Sequence, residues 1–257
     1  MANTPLIKLE NIYLKREDLN ITGSAKDRAV IFQIENLKKQ GFDKATISST
    51  GNAAISAAYF CNLHQINLTV FISPKVNQNK LELIKKNNCQ IIISDKPISD
   101  SIKFSKKNKA YLLRQSTDPV ALIGYQEIGK ELMTQLPKIS SIFVPVGSGS
   151  TLLGISKALN PSVKIFAVKP ENTILTDALT VKYQPLKNKV ISAVKNSKGS
   201  ELIVQNSEIL EAQEILKSNN TKTSLEGAMA FAGLKKATKN NLDVGNYPVV
   251  ILTGCQR

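Results

Sequence analysis

Three stretches of the chain carry residue types that could do chemistry together. Lys26 stands in Gly23-Ser24-Ala25-Lys26-Asp27-Arg28, directly before a helical pattern. A lysine in the first helical turn opposes the charge preference of the helix dipole by a few tenths to ~1 kcal/mol, and Asp27 beside it offsets part of that. It reads either as a solvated surface lysine or as an amine kept reactive by desolvation or a neighbouring cation, the setting for Schiff-base chemistry. Ser48-Ser49-Thr50-Gly51-Asn52 leads into an alanine-rich helix, where backbone N–H groups and hydroxyls could cradle a carboxylate. Gly147-Ser148-Gly149-Ser150-Thr151 follows a strong apolar run and suits a phosphate. It is neither the nucleotide-triphosphate loop, lacking a following Lys-Ser/Thr pair, nor the complete dinucleotide fingerprint. An ordinary glycine turn between strand and helix is the competing reading of each loop.

Apolar runs alternate with helix-like stretches along the chain. The pattern predicts strands at 12–15, 45–48, 68–72, 90–93, 111–113, 141–146, 163–168 and 249–252. Helices are expected at 26–40, 53–64, 78–87, 121–135, 151–159, 208–218 and 225–238. Short Ile, Val and Phe runs separated by such helices describe a parallel α/β architecture. Open parallel sheets put their ligand loops beyond the carboxyl ends of the strands, where both glycine loops fall. The first helix carries an apolar face of Val30, Ile31, Ile34 and Leu37, a weak capping box from Ser24 to Asp27, and Gly41 at its end. Pro145 conflicts locally with its strand, tolerably so near the end. Residues 179–204 are polar, lysine-rich and poorly periodic, and read as a loop or irregular crossover.

Composition narrows the function classes. The chain has 257 residues, enough to bury a large core as one or two domains. No run approaches the ~18 apolar residues of a membrane span. The start meets Pro5, Lys8 and Glu10 before a signal-like stretch develops, so a cytoplasmic protein without membrane partners is expected. The net charge of +14 is carried almost wholly by lysine; arginine occurs only at 16, 28, 114 and 257. That argues against nucleic-acid reading, which favours clustered arginine. The cysteines at 61, 89 and 255 and a lone His64 form neither a disulfide framework nor a metal pattern, so no metal is expected.

The segment Tyr13-Leu14-Lys15-Arg16-Glu17-Asp18-Leu19-Asn20-Ile21-Thr22-Gly23-Ser24-Ala25-Lys26-Asp27-Arg28 resembles the lysine region of fold-type II pyridoxal-phosphate enzymes. That superfamily, the tryptophan synthase β-like one, includes threonine synthase, threonine/serine dehydratase and cysteine synthase. Its pattern is an acidic residue, a short gap, Gly-Ser, one residue, then Lys-Asp-Arg. The resemblance implies that Lys26 holds pyridoxal 5′-phosphate covalently. Ser49, Thr50, Gly51 and Asn52 resemble the substrate-carboxylate loop, with Asn52 also donating to the pyridoxal 3′-oxygen. Gly147, Ser148, Gly149, Ser150 and Thr151 resemble the loop holding the cofactor phosphate, and Thr253 is implied at the pyridine nitrogen. Thr4-Pro5-Leu6 and Asp118-Pro119 are similar to further family positions, so the matches run in family order across residues 4–254.

The resemblance further implies two three-layer α/β lobes with mostly parallel sheets around a cofactor cleft. Residues 1–40 and 130–257 would form the larger, cofactor-binding domain, and 41–129 the smaller, carboxylate-binding one. A homodimer acting on a small amino acid is expected. Removal of the α proton by Lys26, followed by β or γ elimination, is what the resemblance implies, and would make the chain a lyase of amino-acid metabolism. Ser49-Thr50-Gly51-Asn52 with Thr253-Gly254 is nearest to threonine synthase, which turns O-phosphohomoserine and water into threonine and phosphate. The loop at 147–151 is closer to cysteine synthases and dehydratases. The alternatives are a serine/threonine dehydratase or desulfhydrase, a cysteine-synthase-like enzyme, or, since the chain is shorter than typical members, a cofactor-binding homologue without lyase turnover. Ser24 reads as an N-cap whose hydroxyl could face the cofactor. Glu226, three positions after Thr223, reads as half of a capping box or as a cofactor contact.

Overall fold

The computed structural model describes residues 3–172, 175 and 184–257. In chain order the elements are β1 (Leu6–Leu9), β2 (Ile12–Lys15), α1 (Lys26–Lys39), β3 (Lys44–Ser48), α2 (Asn52–Leu63), β4 (Asn67–Ile72), α3 (Gln78–Lys85), β5 (Gln90–Ile93), α4 (Pro97–Asn108), β6 (Tyr111–Leu112), α5 (Pro119–Gln135), β7 (Ser141–Pro145), α6 (Ser150–Ser156), β8 (Lys164–Pro170), α7 (Lys187–Asn196), β9 (Glu201–Val204), α8 (Asn206–Ser218), α9 (Leu225–Lys239) and β10 (Pro248–Ile251). A 3-10 turn covers Glu17–Leu19. Contacts divide the chain into two compact units, residues 1–25 with 125–256 and residues 26–124 with 257.

The larger unit holds a six-stranded sheet in the order β1-β2-β10-β7-β8-β9. Only β1 runs antiparallel to its neighbour; the other pairings are parallel. All five residues of β7 are buried, as a strand covered on both faces requires. Pro145 is its last residue, so its missing N–H interrupts no ladder interior. Phe143 and Phe166 stack with centroids 4.6 Å apart, in a core shared with Leu14, Val168 and Val250. Ile209 and Leu216 of α8 and Met229 of α9 close that core.

The smaller unit holds a parallel sheet in the order β5-β4-β3-β6. Val30, Ile34 and Leu37 of α1 are buried with Ala54, Ala57 and Ala58 of α2, Ile47 of β3 and Val70 of β4. Because that apolar face packs on α2, α1 belongs to this unit, whereas 1–40 was expected in the larger one. The other division falls inside α5, after Gly124.

Every strand and helix expected from the pattern is present. Those not anticipated have weak apolar signals. α4 buries only Ser101 fully, and α7 buries only Val190 and Val194. β9 buries Leu202 and Val204 while Glu201 and Ile203 face outward. The expected loop over 179–204 is therefore corrected for 187–196 and 201–204; residues 179–183 lie outside the described residues. Among the described residues no helix is long and apolar enough to cross a membrane.

A polar cluster fixes where α5 starts. Asp118 Oδ1 accepts from the Val120 amide at 2.9 Å, and Asp118 Oδ2 accepts from Gln33 Nε2 and the Tyr111 hydroxyl, each at 2.7 Å. Burial and the donation to Asp118 push the Tyr111 phenol up to about 12. A phenol raised on folding stabilises fully below its unfolded pKa and loses that contribution as pH rises through the folded value. Tyr111→Phe should therefore cost about 1–2 kcal/mol near neutral pH. In urea titrations the gap from wild type should shrink as pH approaches 12, and a gap that stays constant would contradict this account.

Candidate active site

In the larger unit, β10 pairs in parallel with both β2 and β7. The loops that follow β7 and β10 therefore leave the same edge of the sheet. After β7, the Val146 amide donates to Val168 O at 2.9 Å and the chain turns through Gly147 and Ser148. Gly149 has φ +89°, and a Cβ there would stand 2.4 Å from Val190 Cγ2. Left-handed backbone and a filled space together make glycine the residue for this position. The Gly149 carbonyl then accepts from the Leu153 amide at 3.0 Å as α6 begins. Ser148 and Ser150 hydroxyls lie 3.0 Å apart, and Ser150 and Thr151 are buried. Lys169 and Lys187 border a small cavity of about 10 Å³ with Gly147 and Ser148. Lys169 pairs with Glu201, so the net local charge favours an anion only modestly.

After β10, the Leu252 amide donates to Lys15 O at 3.0 Å. The next residues run antiparallel to the segment leading into α1. Ser24 bridges Gly254, the Ala25 amide donates to Thr253 O at 3.0 Å, and the Cys255 amide donates to Gly23 O at 2.9 Å. The Gly254 carbonyl also accepts from the Ser224 amide at 2.7 Å and the Thr223 hydroxyl at 2.9 Å. Thr223 is thus committed to the terminal segment. Ser224 caps α9 instead, accepting from the Gly227 amide at 3.3 Å, which corrects the expected Thr223–Glu226 capping box. Glu226 is half-buried in the first turn of α9. Lys26, half-buried, is the residue after Ala25 and the first of α1; Ser24, Asp27 and Arg28 around it are buried.

In the smaller unit, Ser49, Thr50 and Gly51 connect the carboxyl end of β3 to α2. Ser49 Oγ accepts from the Gly51 amide at 3.2 Å, and Gly51 O accepts from the amides of Ala54 and Ile55. No acidic side chain occupies the first turn of α2, so its positive end is not neutralised from within. Asn52 is the first helical residue, and its Oδ1 accepts from Arg257 Nη1 at 2.7 Å. The sequence offered no signal for that contact. Among the described residues no group of three or more His, Cys, Asp or Glu could hold a metal ion. Burial pushes the Cys61 thiol up to about 12, which makes it an inert packing group.

The sheet edge of the larger unit thus carries a glycine-serine loop suited to an anion beside a hydroxyl-bearing strand end. The chain belongs to the pyridoxal-phosphate dependent enzymes, whose family description matches residues 1–254. It is 30% identical over 169 residues to an L-threonine ammonia-lyase of Thermotoga maritima, covering 63% of this chain and 42% of that protein. It is 29% identical over 189 residues to a catabolic L-threonine dehydratase of Staphylococcus aureus, covering 67% and 55%. The chain thus spans about half the length of the curated relatives it matches. A serine racemase of Dictyostelium discoideum shares the fold, with a TM-score of 0.88 at 21% identity, over 100% of this chain and 93% of that one.

The residues present fit pyridoxal phosphate. The left-handed turn at Gly149 and the clustered serine hydroxyls suit its phosphate, and the half-buried Thr253 hydroxyl lies on the same sheet edge. Gly149→Ala adds left-handed strain of about 1–2 kcal/mol and a side-chain clash. Thermal melts should show that loss without cofactor, and titration with pyridoxal phosphate should show an affinity reduced about tenfold or more. Unchanged affinity in a folded variant would remove this loop from the phosphate site.

Proposed function

We propose that the protein is a pyridoxal-phosphate-dependent lyase that dehydrates a β-hydroxy amino acid, threonine or serine, to its 2-oxo acid and ammonia. The observation that carries the reading is the hydrogen-bonded pairing of Gly23–Ala25 with Thr253–Cys255, one residue before Lys26 and on the edge that bears the 147–151 loop. The ammonia-lyase and dehydratase relatives favour elimination from a hydroxy amino acid over the threonine-synthase reading of the sequence.

In this reading the 147–151 loop and Thr253 hold the cofactor, and the 49–52 loop binds the substrate carboxylate. Backbone donors of Gly147, Ser148, Gly149, Ser150 and Thr151 hold the phosphate, and Thr253 offers a neutral hydroxyl to the pyridine nitrogen. A hydroxyl there does not enforce protonation as an aspartate would, which suits prompt loss of a leaving group over a long-lived carbanion. Bound pyridoxal phosphate supplies the electron sink for the substrate α-carbon. Lys26 would hold it and would serve as the base that takes the proton from that α-carbon. Ser49, Thr50, Gly51 and Asn52 bind the substrate carboxylate and so orient the α C–H bond. Water then leaves from the β-carbon, and hydrolysis of the enamine returns water and releases ammonia, so threonine gives 2-oxobutanoate.

The test is a substrate panel of threonine, serine, cysteine, O-acetylserine and O-phosphohomoserine, read by oxo acid, ammonia, sulfide and phosphate release. Oxo acid from threonine or serine is expected. Lys26→Ala should abolish borohydride-fixed cofactor and lower turnover about 100-fold or more. Phosphate from O-phosphohomoserine alone would return the assignment to threonine synthase, and bound cofactor with no product from any substrate would leave a non-catalytic binder.

A further inference from the structure

A buried polar network lies just upstream of Lys26, and none of the chemistry above uses it. Glu17 is fully buried. Its Oε1 accepts from the Thr4 hydroxyl at 2.5 Å and lies 3.9 Å from the Lys15 ammonium. Its Oε2 accepts from Asn20 Nδ2 at 2.7 Å, and the same nitrogen donates to Glu17 O at 2.8 Å. Asn20, itself buried, uses its carbonyl to accept from the Gly23 amide at 2.8 Å. Gly23 has φ +77° and passes the constraint on, since its carbonyl accepts from the Cys255 amide. The backbone is thus held at Glu17, Asn20, Gly23 and Ala25, and Lys26 comes next.

We propose that Glu17 and Asn20 form a clasp that sets the path of residues 20–25 and so positions the Lys26 amine. The inference rests on the assignment of Lys26 as the cofactor lysine. Glu17 and Asn20 are positioning residues that act through the backbone. The Glu17 carboxylate is specified twice over, as counter-charge to buried Lys15 and as acceptor for Asn20. A short polar surface turn would not need a fully buried carboxylate to hold its side chain.

Asn20→Ala removes the clasp but keeps the Lys15–Glu17 charges. Hydrogen–deuterium exchange on the cofactor-free variant should show the amides of Gly23, Ala25 and Cys255 exchanging about tenfold faster or more, with β3 and α2 unchanged. On adding pyridoxal phosphate, the visible absorbance of attached cofactor should grow about tenfold more slowly. The loaded variant should lose kcat while KM stays within about twofold. Asn20→Asp keeps the shape of the side chain but sets acceptors against Glu17 Oε2 and Glu17 O, and should lose exchange protection and attachment rate at least as far as Asn20→Ala.

Uniformly faster exchange throughout the larger unit, or wild-type exchange at those amides in Asn20→Ala or Asn20→Asp, would overturn the clasp. Faster exchange with wild-type attachment kinetics would overturn its positioning role while leaving Lys26 intact. A wild-type protein that takes up pyridoxal phosphate without borohydride fixation at Lys26 would overturn the parent assignment and this inference with it.

Discussion

An ammonium group shut away from water must be surrounded by acceptors, and Lys15 is fully buried. Its Nζ donates to Glu131 Oε2 at 2.5 Å, Thr4 O at 2.9 Å and Gln135 Oε1 at 3.0 Å. Three distant stretches of chain meet on that one cation: the N-terminal segment, the end of β2 and the last turns of α5. Breaking such a buried pair costs about 3–5 kcal/mol, because the remaining charge is stranded. The end of β2 is thereby held, and its Lys15 carbonyl receives the amide that follows β10. The terminal segment and the lysine-bearing segment then pair from that anchored origin.

The two anion-suited loops are built by different means. The 147–151 turn depends on one left-handed glycine pressed against Val190, with hydroxyls clustered at the start of a short helix. The 49–52 turn uses extended backbone at Gly51 and a long helix with no acid in its first turn. In the proposed reading the first would suit a group that stays bound. The second presents dipole and backbone donors that a passing carboxylate can use. Beside β2, Arg16 holds Asp18 through paired hydrogen bonds at 2.9 and 2.8 Å. Burial still raises the Asp18 carboxyl above its ordinary range, with Arg16 pulling the other way. That segment therefore carries buried charge on both sides of the Glu17 clasp.

Much of the fold was legible because its strands are short Ile, Val and Phe runs and its main helices bury broad apolar faces. What escaped were elements whose burial rests on one or two side chains. α7 needs only Val190 and Val194, and β9 only Leu202 and Val204, inside otherwise polar stretches. The grouping of α1 escaped for another reason: its apolar face showed that it packs, not which sheet receives it. At the site, Gly147–Thr151 and Lys26 stood out by residue type and order. Asn20 did not, since an asparagine before a glycine turn looks the same whether its side chain faces water or a buried carboxylate. Thr223 was misread because it, not Ser224, has a glutamate three residues on, whereas the bond that caps the helix joins Ser224 to the Gly227 amide.

Local chemistry is written along the chain. Periodicity dictates strand or helix, glycines mark where backbone must turn, and the run from Gly23 to Arg28 announces a lysine at a helix start. Those properties depend on near neighbours, so residue order alone determined the parallel α/β class and the family. Partnerships between residues far apart in sequence are different: Lys15 with Glu131, Ser24 with Gly254 and Thr223 with the terminal carbonyl. They arise only when the fold sets strand ends beside helices and loops remote in sequence. Tertiary structure alone therefore decided which buried charges are answered and what holds the segment before Lys26 in place.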